Sequence, residues 1–426
     1  MLQVKVIREE KQRVLAGLRK RNWGAAQLKV IDQILALDDS RKATQKDLDD
    51  ALAEANRLAK QIGALMGQGK KDEAEAAKTQ VANLKERTRD LEAKLDAVKN
   101  ELDNLLYSVP NVPHKSVPKG KTPDDNKVAK AWAKPFVDLG EAALPHWDLA
   151  KKYNLFDFEL GVKLTGSGFP VYRGKGAKLQ RALIQFFLDE AAKAGYEEIM
   201  PPHMVNEETA RGTGQLPDKE AQMYTCERDG FYLIPTAEVP VTNIVRDEII
   251  PEKNLPIKMT AYTPCFRREA GAWGAHVRGL NRLHQFDKVE IVQIAHPDQS
   301  YKTLQGMVRH VSNLMAKLEL PYRILKLCGG DMGFTSALTF DFEVWSGAQK
   351  RWLEVSSVSN FETFQTNRMK VRFRDANGRV ELAHSLNGSA LALPRIVAAL
   401  LENNQTPEGI RLPKALHKYT GFKMID

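Results

Sequence analysis

Met66-Gly67-Gln68-Gly69-Lys70 interrupts the strongest periodic signal in the chain, and the fold turns on how this short stretch is read. Downstream of it, Val81, Leu84, Leu91, Leu95, Val98, Leu102 and Leu105 recur at alternating three- and four-residue steps, with Thr88 in the one vacant place. That is a heptad seam. Upstream, Leu48, Leu52, Ala55, Leu58, Ile62 and Leu65 form a second one. Because glycine breaks helices, the two seams read as two long helices folded back into an antiparallel hairpin. The downstream helix, about 35 residues at 1.5 Å each, is expected to project on the order of 50 Å, as an arm rather than part of a core. A heptad pair of this kind serves either to dimerise or to bind a ligand. The turn weighs against dimerisation, since each seam has its partner within the chain.

Working outward, the heptads stop at Ser108-Val109-Pro110-Asn111-Val112-Pro113, and Pro118 and Pro123 follow. Proline cannot continue a helix, so domains are expected at 1–110 and 111–426. In the second, helical patterns over Lys178–Lys193, Tyr301–Leu318 and Leu391–Glu402 mix with strand patterns over Phe231–Ile234, Lys258–Phe266, Lys288–Ile294, Tyr322–Leu327, Thr339–Trp345 and Trp352–Val358. The strands cluster without the strand-helix alternation of a doubly wound sheet. The expected class is α+β, with a mainly antiparallel sheet.

The 426 residues, 43% of them hydrophobic, suffice for two to three domains and exclude a miniprotein or a disordered chain. Lys and Arg number 63 against 54 Asp and Glu, a net charge of +9 that permits nucleic acid without marking a polybasic tail. Cys226, Cys265 and Cys328 never approach C-x-x-C spacing, so neither a zinc cage nor a disulfide framework is expected. Met1–Glu10 lacks both the apolar run of a signal peptide and the start of a span of about 20 apolar residues that a membrane requires. A cytoplasmic, membrane-free protein is the expectation.

The nearest approach to a P-loop, Gly168-Phe169-Pro170-Val171-Tyr172-Arg173-Gly174-Lys175-Gly176, is one residue too long and has Gly where the metal-binding hydroxyl belongs. After Gly174 and Gly176, Leu179 takes the third glycine position of a Rossmann loop. What remains is Phe266-Arg267-Arg268-Glu269, followed across an Ala/Gly-rich loop by Arg278-Gly279-Leu280-Asn281-Arg282-Leu283-His284-Gln285-Phe286-Asp287-Lys288-Val289-Glu290. Strand alternation puts Arg267 and Glu269 on one face, and Phe286, Lys288 and Glu290 on one face of the partner strand. Such a face offers a nucleotide a guanidinium for phosphate, an acceptor for an amino group and a ring for the base. It is equally a ladder of cross-strand ion pairs. In Trp352-Leu353-Glu354-Val355-Ser356-Ser357-Val358-Ser359-Asn360-Phe361, an acid and hydroxyls suit Mg²⁺ on polyphosphate, or simply satisfy backbone. Ser385-Leu386-Asn387-Gly388-Ser389-Ala390-Leu391 leads toward an apolar helix, where Asn387 or Ser389 reads as an N-cap. Arg395 on that helix requires an anionic or aromatic partner.

Taken together, these residues resemble the class II aminoacyl-tRNA synthetases, and among them the bacterial-type seryl-tRNA synthetases, over essentially the whole chain. Phe266–Glu269 and the helix with Arg395 are similar to the class motifs. Ile234-Pro235-Thr236-Ala237-Glu238, Glu354-Val355-Ser356-Ser357 with Ser359-Asn360-Phe361, and Leu386-Asn387-Gly388-Ser389 are similar to the seryl-specific ones, and the hairpin arm to that family's tRNA-binding device.

The resemblance implies a ligase that activates L-serine with ATP and transfers it from seryl-adenylate to the 3′ end of serine tRNA, selenocysteine tRNA being a further acceptor. It implies Arg267, Glu354 and Arg395 as the catalytic set. Arg267 would bridge the α-phosphate and the amino-acid carboxylate, Glu269 would bind the adenine amino group, Phe286 would stack on adenine, and Arg395 would hold the far phosphates. Arg268, Leu283, Val355 and Ser356 would complete the ATP site, and Glu354 and Ser357 would hold Mg²⁺. Thr236, Ala237 and Glu238 would receive the amino end of serine, and Glu290, Asn387 and Ser389 its hydroxyl. Lys178–Asn206, with Pro201 and Pro202, would form the homodimer contact. Two departures fall where the acceptor end of tRNA would meet the protein: Arg268 is bulky and charged where a small residue is usual, and Gly271-Ala272-Trp273-Gly274-Ala275-His276-Val277 lacks an acidic residue.

Overall fold

Two helices of 38 residues each, α1 (Val30–Gly67) and α2 (Lys71–Ser108), make up most of the first of two units, Met1–Arg19 with Trp23–Pro110. The second unit comprises Lys20–Asn22 and Asn111–Asp426. This computed structural model describes residues 1–137, 139–140, 143–218, 220–269 and 278–426. The hairpin turn is tight. The Lys70 amide donates to the Leu65 carbonyl, Gly69 takes φ +75°, and Asp72 and Glu73 place negative charge at the start of α2.

Along α1 the buried positions include Thr44, Leu48, Ala51, Leu58 and Leu65; along α2 they include Ala74, Ala77, Thr88, Leu95 and Leu102. One expected seam residue is misplaced: Leu52 is 42% exposed, and Ala51 is buried in its stead. The physical reason is register. Steps from Leu48 to Ala51, Ala55, Leu58, Ile62 and Leu65 alternate three and four, whereas a path through Leu52 breaks the alternation.

The second unit is built on an eight-stranded sheet: β1 (Lys127–Lys130), β2 (Glu197–Glu198), β3 (Ile257–Phe266), β4 (Gln285–Ala295), β5 (Tyr322–Lys326), β6 (Leu338–Ser346), β7 (Arg351–Glu362) and β8 (His384–Ala392). Its order is β1-β5-β6-β7-β8-β4-β3-β2, antiparallel throughout except where β2 runs parallel to β3. Helices α3 (Gly174–Lys193), α4 (Ser300–Lys317) and α5 (Leu393–Asn403) bring Leu179, Phe187, Met307, Ile396 and Leu400 into one apolar cluster with Val289, Ile291, Phe342 and Val358 of the sheet.

β8 was not among the expected strands. The stretch read as an N-cap before a helix is instead a central strand paired on both sides, with β4 and β7. The helix begins only at Leu393, with Pro394 in its first turn and no side-chain cap from Ala392. Asn387 and Ser389 are therefore not caps, and as alternate residues on one strand they share a face.

Candidate active site

The face of the sheet opposite that apolar cluster forms a cleft of about 610 Å³. Its floor is set by Glu290. This carboxylate is wholly buried on β4 and accepts from Thr236 Oγ1 at 3.1 Å, Asn387 Nδ2 at 2.7 Å and Ser389 Oγ at 3.1 Å, and it forms an ion pair with Lys288. Thr236, Asn387, Ser389 and Lys288 line the cleft above it. A buried carboxylate is tolerated only when its lone pairs and charge are both met, and these four partners do both. Lys288 shares a strand face with Glu290, so alternation alone could have added it to the site.

Glu238 begins the short helix Glu238–Thr242, and its Oε1 accepts from Gln365 Nε2 at 2.7 Å. Burial pushes this carboxyl up to about 7, aided by the Glu290 charge and opposed by the Gln365 hydrogen bond. Ala237, just before it, is fully buried and packs beneath the cleft in an apolar cluster with Met259 and Val292.

On the next strand the Arg267 guanidinium lies over the Phe286 ring, 5.3 Å from its centroid, and its Nε donates to the Pro235 carbonyl at 3.4 Å. Glu269, at φ +48°, is turned to an ion pair with Arg282. Cross-strand contacts thus hold a cation, an aromatic face and a carboxylate along one cleft wall. Leu283 lines the cleft. Arg268 is exposed, and its backbone amide, not its side chain, ties it to the Gln222 carbonyl at 2.9 Å. Gly271–Val277 lies outside the described residues. His284 packs parallel to Phe169 and hydrogen-bonds the Tyr224 hydroxyl at 2.8 Å, a structural role.

Across the cleft, Asp341 of β6 pairs in register with Ser357 of β7, whereas Glu343 pairs with Glu354. One extra residue on β7 makes a bulge, and it turns Glu354 and Ser357, three apart, toward the same cleft. Val355 and Ser356 line it too, and Ser356 Oγ donates to the Ser389 carbonyl. Asp341, which the sequence reading missed, carries a buried Oδ1 with no hydrogen-bond partner. Its carboxyl is pushed well up by burial and by the facing Glu354 charge. Its signal was legible: Thr339, Asp341 and Glu343 put polar groups on alternate positions of a strand whose intervening residues are apolar. Arg395 of α5 donates to the carbonyls of Asn281 at 2.9 Å and Glu354 at 2.7 Å, which aims its guanidinium along the cleft, and burial lowers its pKa.

The arrangement can hold a polyanion between Arg267 and Arg395, with acids placed for an ammonium and a hydroxyl. Comparison with known proteins gives the family. Residues 224–404 match the family model described as tRNA synthetase class II core domain (G, H, P, S and T), and residues 1–113 match the seryl-tRNA synthetase N-terminal domain. A serine–tRNA ligase of Salinibacter ruber is 51% identical over 428 residues, spanning 100% of this chain and 99% of that one. The chain belongs to the seryl-tRNA synthetases. Among seryl-tRNA synthetases of known structure, that of Pyrococcus horikoshii, complexed with ATP, superposes with a TM-score of 0.91 at 33% identity, covering 100% of this chain and 99% of that one. The cytoplasmic serine–tRNA ligase of Naegleria fowleri, in complex with AMP, gives 0.85 at 26% identity, with the same coverages. The family resemblance and the antiparallel-sheet fold expected from the sequence are both borne out.

Proposed function

We infer that the chain is a serine–tRNA ligase that forms seryl-adenylate from L-serine and ATP and passes the seryl group to tRNA. The observation that carries the substrate is Glu290, a buried carboxylate whose donors all line the cleft. Two of those donors, Thr236 and Ser389, are hydroxyls that can turn away, so a substrate hydroxyl can take the place of one and find an acceptor already desolvated. Glu238 receives the ammonium. Arg267 lies between the amino-acid carboxylate and the α-phosphate, with Phe286 and Glu269 on the adenine side and Arg395 on the far phosphates. The serine carboxylate attacks the α-phosphorus and pyrophosphate leaves; a terminal ribose hydroxyl of tRNA then attacks the adenylate carbonyl, the bond to the phosphate oxygen breaks, and AMP leaves as the hydroxyl gives up its proton. No protein nucleophile is needed, since positioning and neutralisation of developing charge by the two arginines supply the catalysis.

The divalent ion that accompanies ATP fits the acid side. Asp341 has an unpartnered buried oxygen facing Glu354 and Ser357, and two carboxylates with a hydroxyl suit an ion that keeps phosphate and water as its other ligands. Mg²⁺ bound there would neutralise phosphate charge, and Glu354 and Ser357 would hold it, with Asp341 beside them. Residues 1–110 form a helical tRNA-binding domain that carries the long coiled-coil arm, and 111–426 the catalytic domain. Lys178–Asn206, where Met200 is 90% exposed, is the homodimer contact, and a cytoplasmic location follows from the substrate. Serine-dependent exchange of pyrophosphate into ATP, followed by charging of tRNA, tests the reading. Exchange with another amino acid in preference to serine overturns it.

A further inference from the structure

Behind the ATP wall lies a buried pair that takes no part in that chemistry. His146 and Glu402 are both fully buried, and His146 Nδ1 meets Glu402 Oε1 at 2.7 Å. Glu402 sits in the last turn of α5, seven residues after Arg395 and so on the same side of that helix. Its oxygens also accept from the His146 amide at 3.0 Å, from Gln349 Nε2 at 2.9 Å and from Ser346 Oγ. With a carboxylate saturated by donors, Nδ1 must carry the imidazole proton. The other ring nitrogen fits this tautomer, because His146 Nε2 accepts the Leu280 amide at 2.8 Å.

Leu280 belongs to the turn Gly279–Asn281 that follows residues 270–277 and leads to the cleft. Gly279 has φ +68°, and a β-carbon there would stand 2.2 Å from His146 Nε2, so the approach of the turn to the imidazole admits only glycine. Arg278, one residue earlier, lies over the Trp147 ring at 4.7 Å. Asn281, the last residue of the turn, gives its carbonyl to Arg395 and donates from its side-chain Nδ2 to Gln349 Oε1 at 3.0 Å, and Gln349 returns to Glu402. The hydrogen bonds close into a ring from Glu402 through His146, the turn and Gln349 back to Glu402.

We propose that His146, held by Glu402 as the Nδ1–H tautomer, is a positioning residue for ATP: through the Leu280 amide it fixes the Gly279–Asn281 turn, and through the Asn281 carbonyl the aim of Arg395. The proposal rests on the ligase reading for the identity of the nucleotide. A purely structural histidine would affect all substrates and the melting temperature together. A positioning one acts selectively on the phosphates held by Arg395.

His146→Asn can keep the donor to Glu402 while losing the acceptor for Leu280. His146→Gln can place an amide oxygen near the Nε2 position and restore it. Gln349→Met breaks the ring elsewhere with the histidine intact. Calorimetric titration with ATP and pyrophosphate exchange on the full-length chain supply the readouts. His146→Asn and Gln349→Met are expected to weaken ATP binding roughly five- to tenfold, the size of one net hydrogen bond, with the KM for serine within about twofold and His146→Gln near the parent. Amide hydrogen exchange across 278–283 should quicken in His146→Asn. Unchanged ATP affinity in Gln349→Met overturns the proposal, even where the His146 variants do not fold. So do parallel losses for ATP and serine that track melting temperature. Failure of the parent chain to exchange pyrophosphate with serine would instead sink the ligase reading, while ATP affinities still report on the ring.

Discussion

Glu290 and Lys288 have to be altered together, because a buried ion pair cut on one side leaves an uncompensated charge costing about 3–5 kcal/mol. Glu290→Gln with Lys288→Met keeps the volume and removes both charges. Sites built to hydrogen-bond a hydroxyl reject the deoxy analogue by about 10⁴-fold, whereas a wall that excludes a methyl is worth only about 1–3 kcal/mol. The double variant is therefore expected to lose two or more orders of magnitude in its preference for serine over alanine, with its preference over threonine changed less. An unchanged serine-to-alanine ratio in folded protein removes Glu290 from the pocket. Glu238 makes a pH prediction. Its carboxyl is raised to about 7, so the folded chain holds a proton that the unfolded chain releases at lower pH. Stability from this group is present below the ordinary carboxylate range and is lost as pH rises through about 7, by on the order of 3 kcal/mol. An ammonium reverses the preference by favouring the carboxylate, so serine should bind more tightly at pH 8 than at pH 6 and release a proton on binding near neutrality. Glu238→Gln should flatten both trends, as calorimetry in buffers of different ionisation enthalpy would show; a slope that survives in this variant assigns the effect elsewhere. These residues differ in how far the sequence revealed them. Strand alternation carried Phe286, Lys288 and Glu290, but which strand would lie beside them was a tertiary matter, so Thr236, Asn387 and Ser389 were placed only by family resemblance.

The two long helices illustrate how an element's pattern can be right while one position is wrong. Large side chains drew the expected seam to Leu52, whereas the unbroken three-four alternation passes through Ala51, which is 4% exposed. Leu52→Lys is thus expected to change the melting temperature little, in line with surface substitutions of about ±0.5 kcal/mol, while Ala51→Lys should cost roughly 2 kcal/mol or more. Equal effects of the two would return Leu52 to the seam. β8 was lost for a different reason. Most of its residues, His384–Ala392, are small or polar, a composition that looks like a cap or a turn when read locally, yet seven of the nine are buried in the middle of the sheet. Polar residues belong there because they face a polar floor, and only knowledge of the neighbouring strand supplies that floor. The bulge in β7 was likewise invisible, since bulges leave no mark in alternation until the partner register is known.

At the scale of the chain, a seam and a cleft that belong to different units predict separable activities. Replacing the stretch from about Ser40 to Leu106 with a short linker should preserve adenylate formation and abolish tRNA charging, and loss of pyrophosphate exchange would count against that modularity. Binding of tRNA should weaken as salt rises, with a slope that grows by about 0.7–0.9 for each phosphate neutralised. Not all cations of the arm contribute alike. Arg57 and Lys78 are each 2.6 Å from a carboxylate one turn away, on Glu54 and Glu75, whereas Lys60 and Lys85 stand exposed. Lys85→Gln should flatten the salt dependence more than Lys78→Gln, as filter binding over a salt series would measure. The hairpin also has a metric property. Its two helices are equal in length and joined by a turn of three residues, so every heptad of one seam has an opposite number in the other. Seven residues removed from each helix at matched heights would draw the tip in by about 10 Å and leave every remaining knob facing its own hole. The same cut made in one helix alone would slide the whole seam out of step. The arm is graduated like a ruler, and its tip can be set back one mark at a time to measure how far the catalytic unit's partner must be reached.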